Sequence, residues 1–355
     1  MAHRPVLSAR PRRILDPACT TDWEWGPVKR PAISVVVSAR DAEQTVGATL
    51  DGLHGQEDAP PFEVVVVDNG SRDATAEIAE RHPLRPRVIR RRRGDGPGIA
   101  RNEGVTAASA DLIAFTDADC APTPRWLAAG SRAAKQAVIV QGAVRPTAGV
   151  QVGPFDRTLA VGYEYGLYET ANLFVDRAWF DKVGGFADWV SWEGTRERRI
   201  AVPDRPFGED AWFVWRAKRL GARTAFCADA LVHHAVFDGD FHSYVAEQVR
   251  LRHFPGLIAR IPELRDVFAW HRYFLNARTA AFDAAALSTV VALVARSPLP
   301  LVAVVPYLLR VRREVRRFRL RKPDAIEYAL AVMVRDAVGS IALVRGSWEA
   351  RSPLL

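Results

Sequence analysis

Two carboxylates one residue apart, Asp117 and Asp119, follow the apolar run of residues 112–116. The run is typical of a buried strand, and acids at the end of such a strand cost on the order of several kcal/mol unless a cation pairs with them. Ligands of open α/β sheets bind beyond the carboxyl ends of the strands. Oxygen-rich sites suit Mg²⁺ or Mn²⁺, which carboxylates hold together with substrate phosphates. The pair therefore predicts a metal and phosphate site, with two solvated turn acids as the alternative.

The elements that must position these acids alternate along the chain. Short apolar runs predict strands at residues 33–37, 62–67, 87–89 and 112–116, and the stretches between them predict helices at 42–53, 73–81 and 98–108. This alternation predicts a parallel sheet with right-handed crossovers. The suggestive polar residues then fall at strand ends on one rim: Arg40, Asp41, Asp68, Asp117 and Asp119. Their convergence makes this rim the candidate site.

The overall composition is that of an ordinary globular protein of one or two domains, with 355 residues and 48% hydrophobic residues. The excess of 49 Lys+Arg over 41 Asp+Glu gives a net charge of +8. A basic balance suits phosphorylated ligands, nucleic acid or an anionic membrane and does not choose among them. Three cysteines without close spacing predict neither a disulfide framework nor a zinc site, and they fit a reducing cytosol. Residues 1–30 are predicted to form a basic arm, not a secretory signal.

Two other features imitate ligand sites. The glycine-rich segment 94–98 looks like a dinucleotide-binding loop, but it follows the third predicted strand and lacks the G-x-G-x-x-G spacing. A Rossmann cofactor loop follows the first strand, so that interpretation is set aside. The arginine run 90–93 could clasp phosphates, although a solvated strand end is the better explanation.

Four short motifs together carry a family resemblance. They are residues 34–41 (SVVVSARD), 67–75 (VDNGSRDAT), 100–104 (ARNEG) and 117–119 (DAD). In this order and spacing they resemble the family 2 glycosyltransferases, and in particular a membrane-associated, actinobacterial-type member. The resemblance covers residues 32–255 and implies the GT-A fold, a Rossmann-like α/β architecture with a mixed sheet that binds nucleotide-diphospho-sugars.

The resemblance also implies roles on the donor side. Asp68 is expected to contact the nucleobase, with Ala39, Arg40 and Asp41 in the loop beside it. Arg101 is expected near the nucleotide phosphates. Asp117 and Asp119 are expected to face the ribose and the metal, with Asp119 the better candidate for a metal ligand. Ser38, Asp41 and Asn69 depart from the usual residues of the family, which weakens any statement about which base is bound.

The second half continues the likeness. Residues 170–175 and 183–186 resemble the strand and turn on the acceptor side of the family, and residues 207–212 (FGEDAW) resemble its Glu-Asp motif. An inverting transfer needs a base for the acceptor hydroxyl. A carboxylate at a helix start is stabilised in its ionised form by free N–H groups and the helix dipole. Asp210 is therefore the predicted base and Glu209 its orienting neighbour, with an ordinary N-cap as the alternative for Asp210.

Three further predictions concern the rest of that half. Many GT-A enzymes supply a histidine as a third metal ligand, and His233 is favoured over its neighbour because only one of two adjacent residues on an extended chain can face the metal. A polar insertion holds Trp189 and Trp192, which are predicted to contact the acceptor, with a plain surface loop as the alternative. Residues 247–252 (EQVRLR) lack the Trp of the Q-x-x-R-W motif of processive members, so addition of a single sugar is expected.

The C-terminal region is different in character. Residues 284–295 and 298–309 are two apolar stretches, and residues 310–322 add eight basic residues and one acid. Each stretch alone is too short to cross the ~30 Å hydrocarbon core. A re-entrant or interfacial hairpin with a basic collar on an anionic membrane is predicted. The alternative is a buried helical hairpin or a dimer interface.

The sequence therefore predicts a basic arm (1–30), a GT-A domain (31–255) and a helical, membrane-associating region (256–355). The GT-A domain divides into a nucleotide-binding half (31–125) and an acceptor half (126–255). The predicted enzyme is an inverting, divalent cation-dependent glycosyltransferase on the cytoplasmic face of the membrane. It uses a nucleotide-diphospho-sugar, UDP-linked, and a glycan or lipid-linked acceptor, with no nucleic acid partner. A nucleotidyltransferase and a non-catalytic basic membrane-binding module are the alternatives.

Overall fold

The computed structural model describes residues 30–187 and 207–355. Within it, Pro31–Leu355 forms one compact unit. Nearly all of the predicted basic arm lies outside the described residues, as does the insertion that contains Trp189 and Trp192.

One eight-stranded sheet organises the described chain, in the order β3-β2-β1-β4-β7-β6-β8-β5. The strands are β1 Ile33–Ala39, β2 Phe62–Asp68, β3 Arg87–Arg90, β4 Leu112–Asp117, β5 Cys120–Pro122, β6 Ile139–Pro146, β7 Asn172–Asp176 and β8 Thr224–His234. The first four strands in chain order pair in parallel, as predicted. β7 is antiparallel to both β4 and β6, and β5 is antiparallel to β8, so the sheet is mixed.

Helices cover both faces of the sheet and form the C-terminal region. They are α1 Val46–His54, α2 Thr75–Arg81, α3 Pro97–Ala107, α4 Trp126–Ala133, α5 Arg177–Val183, α6 Glu209–Arg219, α7 Phe241–Ala246, α8 Phe254–Arg260, α9 Leu264–Val267, α10 Ala277–Val294, α11 Val305–Arg317 and α12 Lys322–Ala350. Glu247–His253 and Leu299–Val304 are 3₁₀ segments. Each predicted helix of the first half is present, within a few residues of its expected bounds.

The core has two layers because successive strand residues point to opposite faces of the sheet. In β1, Val35 and Val37 pack into one cluster, whereas Val36 packs into the other. Trp126 of α4 lies in the first cluster and Phe213 of α6 in the second. The runs of valine in the parallel strands are therefore buried on both sides, which explains why they are continuously apolar.

β7 joins the two parts of the sheet through Asn172, whose side chain is fully buried. Its Nδ2 donates to the carbonyl oxygens of Ala143 in β6 and Ala230 in β8, at 2.8 and 2.7 Å. Its Oδ1 accepts from the indole of Trp126 at 2.8 Å. The two carbonyls flank a register shift between β6 and β8, where regular ladder bonds are interrupted. The amide therefore satisfies backbone groups that would otherwise be unpaired in the core.

The C-terminal helices are built onto this domain. Leu257 and Ile258 of α8 and Leu343 of α12 are buried in the same cluster as Phe213. The predicted boundary at residue 255 thus separates two segments that share a core.

The apolar tail differs in detail from its prediction. The first short stretch belongs to one longer helix, α10, which has 18 residues, a mean hydropathy of 1.4 and 17% of its residues buried. By length and composition α10 could cross a membrane, a test that buried core helices also pass. The second stretch forms the 3₁₀ segment Leu299–Val304 and the start of α11. The helix begins before the apolar stretch because Arg278 and Asp283, which precede that stretch, bond to Asp336 and Ser340 of α12.

Candidate active site

Three strand ends bring the predicted donor residues to one rim. Parallel register places Ala39 beside Asp68 and Ser38 beside Asp117. The carboxyl ends of β1, β2 and β4 therefore open onto the same edge of the sheet, as the alternation of elements predicts.

The loops after β1 and β2 are bonded to each other. The backbone N–H of Asn69 donates to the Ala39 carbonyl at 2.8 Å. The Asp41 N–H donates to Ser71 Oγ, and Asp41 Oδ1 accepts from the Arg72 N–H, both at 2.9 Å. These bonds hold Asp41 in a left-handed conformation, with φ of 49°. The two loops form one preorganised structure in which a nucleotide base could lie.

Asp68 and Arg40 occupy different parts of this structure. Asp68 is buried, with 6% exposure, and its Oδ1 accepts from the Ser71 N–H at 3.0 Å. Arg40 is half-exposed and pairs with Asp41 at 3.7 Å. Its guanidinium lies where a side chain on Gly94 would be, since a Cβ there would come 2.3 Å from Nη1. Gly94, in the glycine-rich segment 94–98 that looks like a dinucleotide-binding loop, thus leaves space for Arg40.

The arginine run after β3 is held by acids. Arg90 pairs with Glu77 and Glu80 of α2, and Arg91 pairs with Asp95 and Glu103. These two arginines are therefore better explained as residues at a strand end than as a phosphate-binding group.

Arg101 of α3 joins the two halves of the site. Its Nη2 donates to Asp117 Oδ1 at 2.7 Å and its Nη1 to Glu209 Oε1 at 3.3 Å. Only 5% of Arg101 is exposed. The cation of Arg101 is shared by the strand-end acid and the first residue of α6.

Asp119 forms a second cluster, with Cys120 and His234, whose ligand atoms lie within 4.8 Å of one another. His234 Nε2 lies 3.5 Å from Asp119 Oδ2. The structure places His234, not the predicted His233, beside Asp119, and the Nδ1 of His233 lies 3.0 Å from the Pro146 carbonyl. The reason is the pairing of β5 with β8, which sets His234 opposite Cys120.

The contacts of His234 favour a cation at this point. Its Nδ1 lies 2.6 Å from the Ala235 carbonyl, which can only accept a hydrogen bond, so Nδ1 carries a proton. In the neutral imidazole Nε2 then has a lone pair directed at a carboxylate, and a metal ion or a second proton must separate the two. Burial, and next the charge of Asp117, raise the pKa of Asp119. Carboxylate oxygens suit Mg²⁺ or Mn²⁺, and a neutral imidazole can join them.

Cys120 does not add to this donor set. Burial, and next the charges of Asp117 and Asp119, raise the pKa of its thiol well above the usual value. Sulfur is a soft donor that does not suit Mg²⁺ or Mn²⁺, so Cys120 is expected to pack beside the two acids rather than to bind such an ion.

Asp210 lies in the first turn of α6, partly exposed. The helix is preceded by Gly208 in a left-handed conformation, φ 73°, which takes the N-cap position. The alternative that Asp210 is an ordinary N-cap is therefore wrong. Its Oδ1 accepts from the Ala211 N–H at 2.9 Å and its Oδ2 from the Thr170 N–H at 3.4 Å.

We expected the helix start to lower the pKa of Asp210 and so keep it ionised, but the pKa shift has the opposite direction. Burial raises the pKa of Asp210 well above the usual value, and the charges of Glu209 and Glu169 raise it further. The positive charge of Arg101 opposes them without reversing the shift. A raised pKa is what a carboxylate needs to accept a proton near neutral pH.

Sequence reasoning missed a group of polar residues close to Asp210. Gln141 Nε2 donates to Glu169 Oε2 at 2.9 Å, and the Tyr165 hydroxyl donates to Oε1 of the same carboxylate. Their only signal in the sequence was the position of Glu169 directly before the strand motif at residues 170–175. Trp189 and Trp192, the predicted acceptor contacts, lie outside the described residues.

Comparison with known sequences assigns a family to the first part of the described chain. The sequence model of glycosyl transferase family 2 matches residues 34–187, which include the rim and β7. The chain carries a family 2 glycosyltransferase domain. Over 104 residues the chain is 32% identical to the glycosyltransferase AglE of Haloferax volcanii, a match that covers 28% of this chain and 34% of AglE. The chain thus covers about a third of that curated relative.

Solved structures give the fold of the family 2 domain. The mannosyltransferase PcManGT from Pyrobaculum calidifontis, in complex with GDP-Man and Mn²⁺, has a TM-score of 0.52 at 18% identity, over 91% of this chain and 89% of that one. Residues 1–349 of S. aureus TarS, in complex with UDP-GlcNAc, give 0.50 at 21% identity, over 90% and 92%. The predicted family, and the GT-A fold with a C-terminal helical region, are confirmed.

Proposed function

We propose that this protein is an inverting glycosyltransferase that moves a sugar from a nucleotide-diphospho-sugar, UDP-linked, to an acceptor hydroxyl. The observation that carries the proposal is the position of Arg101 between Asp117 and Glu209, because it joins the donor rim to the helix start that bears Asp210. The family 2 match supports the same reaction class. PcManGT and TarS are each solved with a nucleotide sugar, which supports a donor of this kind.

Asp210 acts as the base in the proposed reaction. The acceptor hydroxyl gives its proton to the Asp210 carboxylate while its oxygen attacks the anomeric carbon. The bond from that carbon to the diphosphate oxygen breaks on the opposite face, and the electron pair leaves with the nucleoside diphosphate. Such a base contributes roughly 10²–10⁴-fold to the rate. Glu209, fixed by Arg101, orients the start of α6.

The donor is held at the rim. Asp68, with the loop Ala39, Arg40 and Asp41, binds the nucleoside. Asp119 and His234, with Asp117 beside them, would hold a divalent cation. When bound, the cation supplies positive charge to the departing diphosphate.

A binding experiment tests the proposal. Thermal unfolding with UDP-, GDP- and TDP-sugars, each with and without Mn²⁺, should show a rise in Tm with the UDP-sugars, larger with the metal. A ligand at 100 times its Kd stabilises the native state by about 2.7 kcal/mol. Equal, negligible shifts with every nucleotide sugar would overturn the proposal.

We also propose that α10, the 3₁₀ segment and α11 bind the cytoplasmic face of an anionic membrane. The segment from 287 to 309 exposes large apolar side chains, of which Leu293, Val294, Leu299 and Val302 are at least 73% exposed. The basic residues of 310–322 follow directly. An apolar surface next to a basic one complements acyl chains and anionic headgroups. A lipid-linked acceptor would be delivered to the enzyme at such a surface.

A further inference from the structure

The loop from residue 147 to residue 171 runs between β6 and β7 and reaches the proposed base. At its end, the Thr170 N–H donates to Asp210 Oδ2. Within the described structure this loop has isolated bridges, at Arg157 and Val161, but no helix or strand. Loops of this length inside compact domains are usually functional.

Tyr165 is placed in this loop close to Asp210. Its hydroxyl donates to Glu169, the residue before Thr170. Burial, and next the charge of Glu169, raise the pKa of the Tyr165 hydroxyl, and Asp210 and Tyr163 add to the shift. Tyr165 therefore stays a neutral hydroxyl beside two carboxylates.

The ring of Tyr165 belongs to an aromatic column that ends in solvent. On one side it stacks on Phe268 at 6.3 Å between centroids, and Phe268 stacks on Phe254 at 5.4 Å. On the other side it meets Tyr163 at 5.6 Å, edge to face. Tyr163 is 69% exposed. The Tyr163 ring is held through these stacked rings to the core, and its own face is open to water. It therefore offers a rigid apolar surface on which a ligand can bind with little loss of side-chain conformational entropy.

We propose that Tyr163 and Tyr165 form the platform for the acceptor, and that the acceptor group bound there is a neutral sugar ring. This inference rests on the proposed transfer reaction. A pyranose has an apolar C–H face, which suits the exposed Tyr163 ring, and hydroxyl edges, which suit the carboxylates of Glu169 and Asp210. Those same carboxylates repel a phosphate or carboxylate group at this position. The acceptor is thus expected to present a sugar, not its lipid or phosphate part, to the base.

The platform also explains how a single hydroxyl reaches Asp210. Stacking fixes the plane of the ring, and the Glu169 carboxylate, held by Gln141, fixes its edge. Alignment of this kind makes a bimolecular reaction effectively unimolecular, because the reacting groups are already held in position. The side chains of Tyr163 and Tyr165 are therefore positioning residues that act on acceptor affinity and orientation.

Saturation-transfer NMR with methyl glycosides of glucose, galactose, mannose and N-acetylglucosamine, in the presence of UDP and Mn²⁺, tests the proposal. At least one glycoside should bind to the full chain. Tyr163→Ala should weaken that binding about tenfold, equivalent to about 1.4 kcal/mol. Tyr163→Phe should retain it. Trp348→Ala removes another exposed aromatic ring, 87% exposed on α12, and should change nothing.

UDP binding, measured by thermal shift on the same samples, separates the two proposals. If UDP stabilises every variant but Tyr163→Ala binds glycosides as the wild type does, the platform is overturned and the transferase proposal stands. Preference for glycerol phosphate over all four glycosides would overturn the platform in the same way. If the wild type binds no nucleotide, both proposals fall.

Discussion

Arg101 and Glu209 are 108 positions apart in the chain, and their side chains meet in the buried centre of the site, with Arg101 Nη1 3.3 Å from Glu209 Oε1. Nearby, a Cβ on Gly98 would come 3.2 Å from Glu209 Cγ, so the backbone of α3 packs closely against the Glu209 side chain. The start of α6 is thus fixed by α3, which also touches the end of β4 through Asp117.

Replacing Arg101 tests this arrangement. Arg101→Met leaves two acids without their cation, and such a break in a buried pair costs about 3–5 kcal/mol. Denaturant unfolding should show this loss, and Glu209→Gln in the same chain should restore part of it. Arg90→Met, in an exposed arginine that also bridges two acids, is the matched control and should cost far less. Equal losses for Arg101→Met and Arg90→Met would contradict the assignment.

Asp210→Asn should abolish turnover and raise stability. Activity should fall about 10²–10⁴-fold because the base is lost. The pKa of Asp210 is higher in the folded than in the unfolded state, so its ionisation destabilises the fold progressively as pH rises from the unfolded value through the folded one. The Tm of Asp210→Asn should therefore match that of the wild type in acid and exceed it at neutral pH. A lower Tm with normal specific activity would make Asp210 a structural residue.

The pH dependence of kcat/KM should show the effect of the Glu169 charge on Asp210. The acid limb of kcat/KM should lie above the ordinary aspartate range, because burial and neighbouring charges raise the pKa of Asp210. Glu169→Gln removes one negative charge and should move that limb to lower pH. Glu164→Gln is the control: Glu164 lies in the same loop but bonds to Tyr168 and Lys218. A limb that stays in place with Glu169→Gln would contradict the proposed base environment.

The two adjacent histidines give a paired test of the metal site. His234→Ala should remove the Mn²⁺-dependent part of UDP binding, since His234 faces Asp119. His233→Ala should leave that part intact, because its Nδ1 lies against a backbone carbonyl. Calorimetry of UDP binding with and without Mn²⁺ measures both. Similar losses in the two variants would show that neither histidine binds the ion directly.

Membrane binding should separate into an apolar and an electrostatic part. Serine at Leu293, Val294, Leu299 and Val302 should abolish the flotation with anionic liposomes that persists in high salt. Glutamine at Arg312, Arg313 and Arg316 should weaken flotation at low salt only, since salt screens the electrostatic attraction to the membrane. Ile326→Ser with Ile341→Ser, exposed on α12, is the control. Point substitutions are preferable to truncation because Leu343 belongs to the core. A wild-type chain that ignores liposomes would contradict the proposal.

The sequence predicted most of the features that depend on residues close together in the chain. Continuous apolar runs located β1, β2 and β4, and the acids at their ends came to one rim because parallel strands end on the same side. The choice between His233 and His234 depends on the register of β8 against β5, which is a contact between distant segments. The proposed roles of Tyr165 and Glu169 depend on α6, more than 30 residues later, so the local sequence offers only the position of Glu169 directly before the strand motif.

The amide of Asn172 has a mechanical consequence. Through β7 it fixes β4, which ends at Asp117, against β8, which ends at His234. The two sides of the proposed metal site therefore cannot slide or hinge apart without breaking buried bonds. Accommodation of the proposed donors of different sizes would fall to the loops above the rim, while the sheet behaves as a fixed frame. Even Asn172→Asp, identical in shape, would exchange two donors for a charge and loosen that frame.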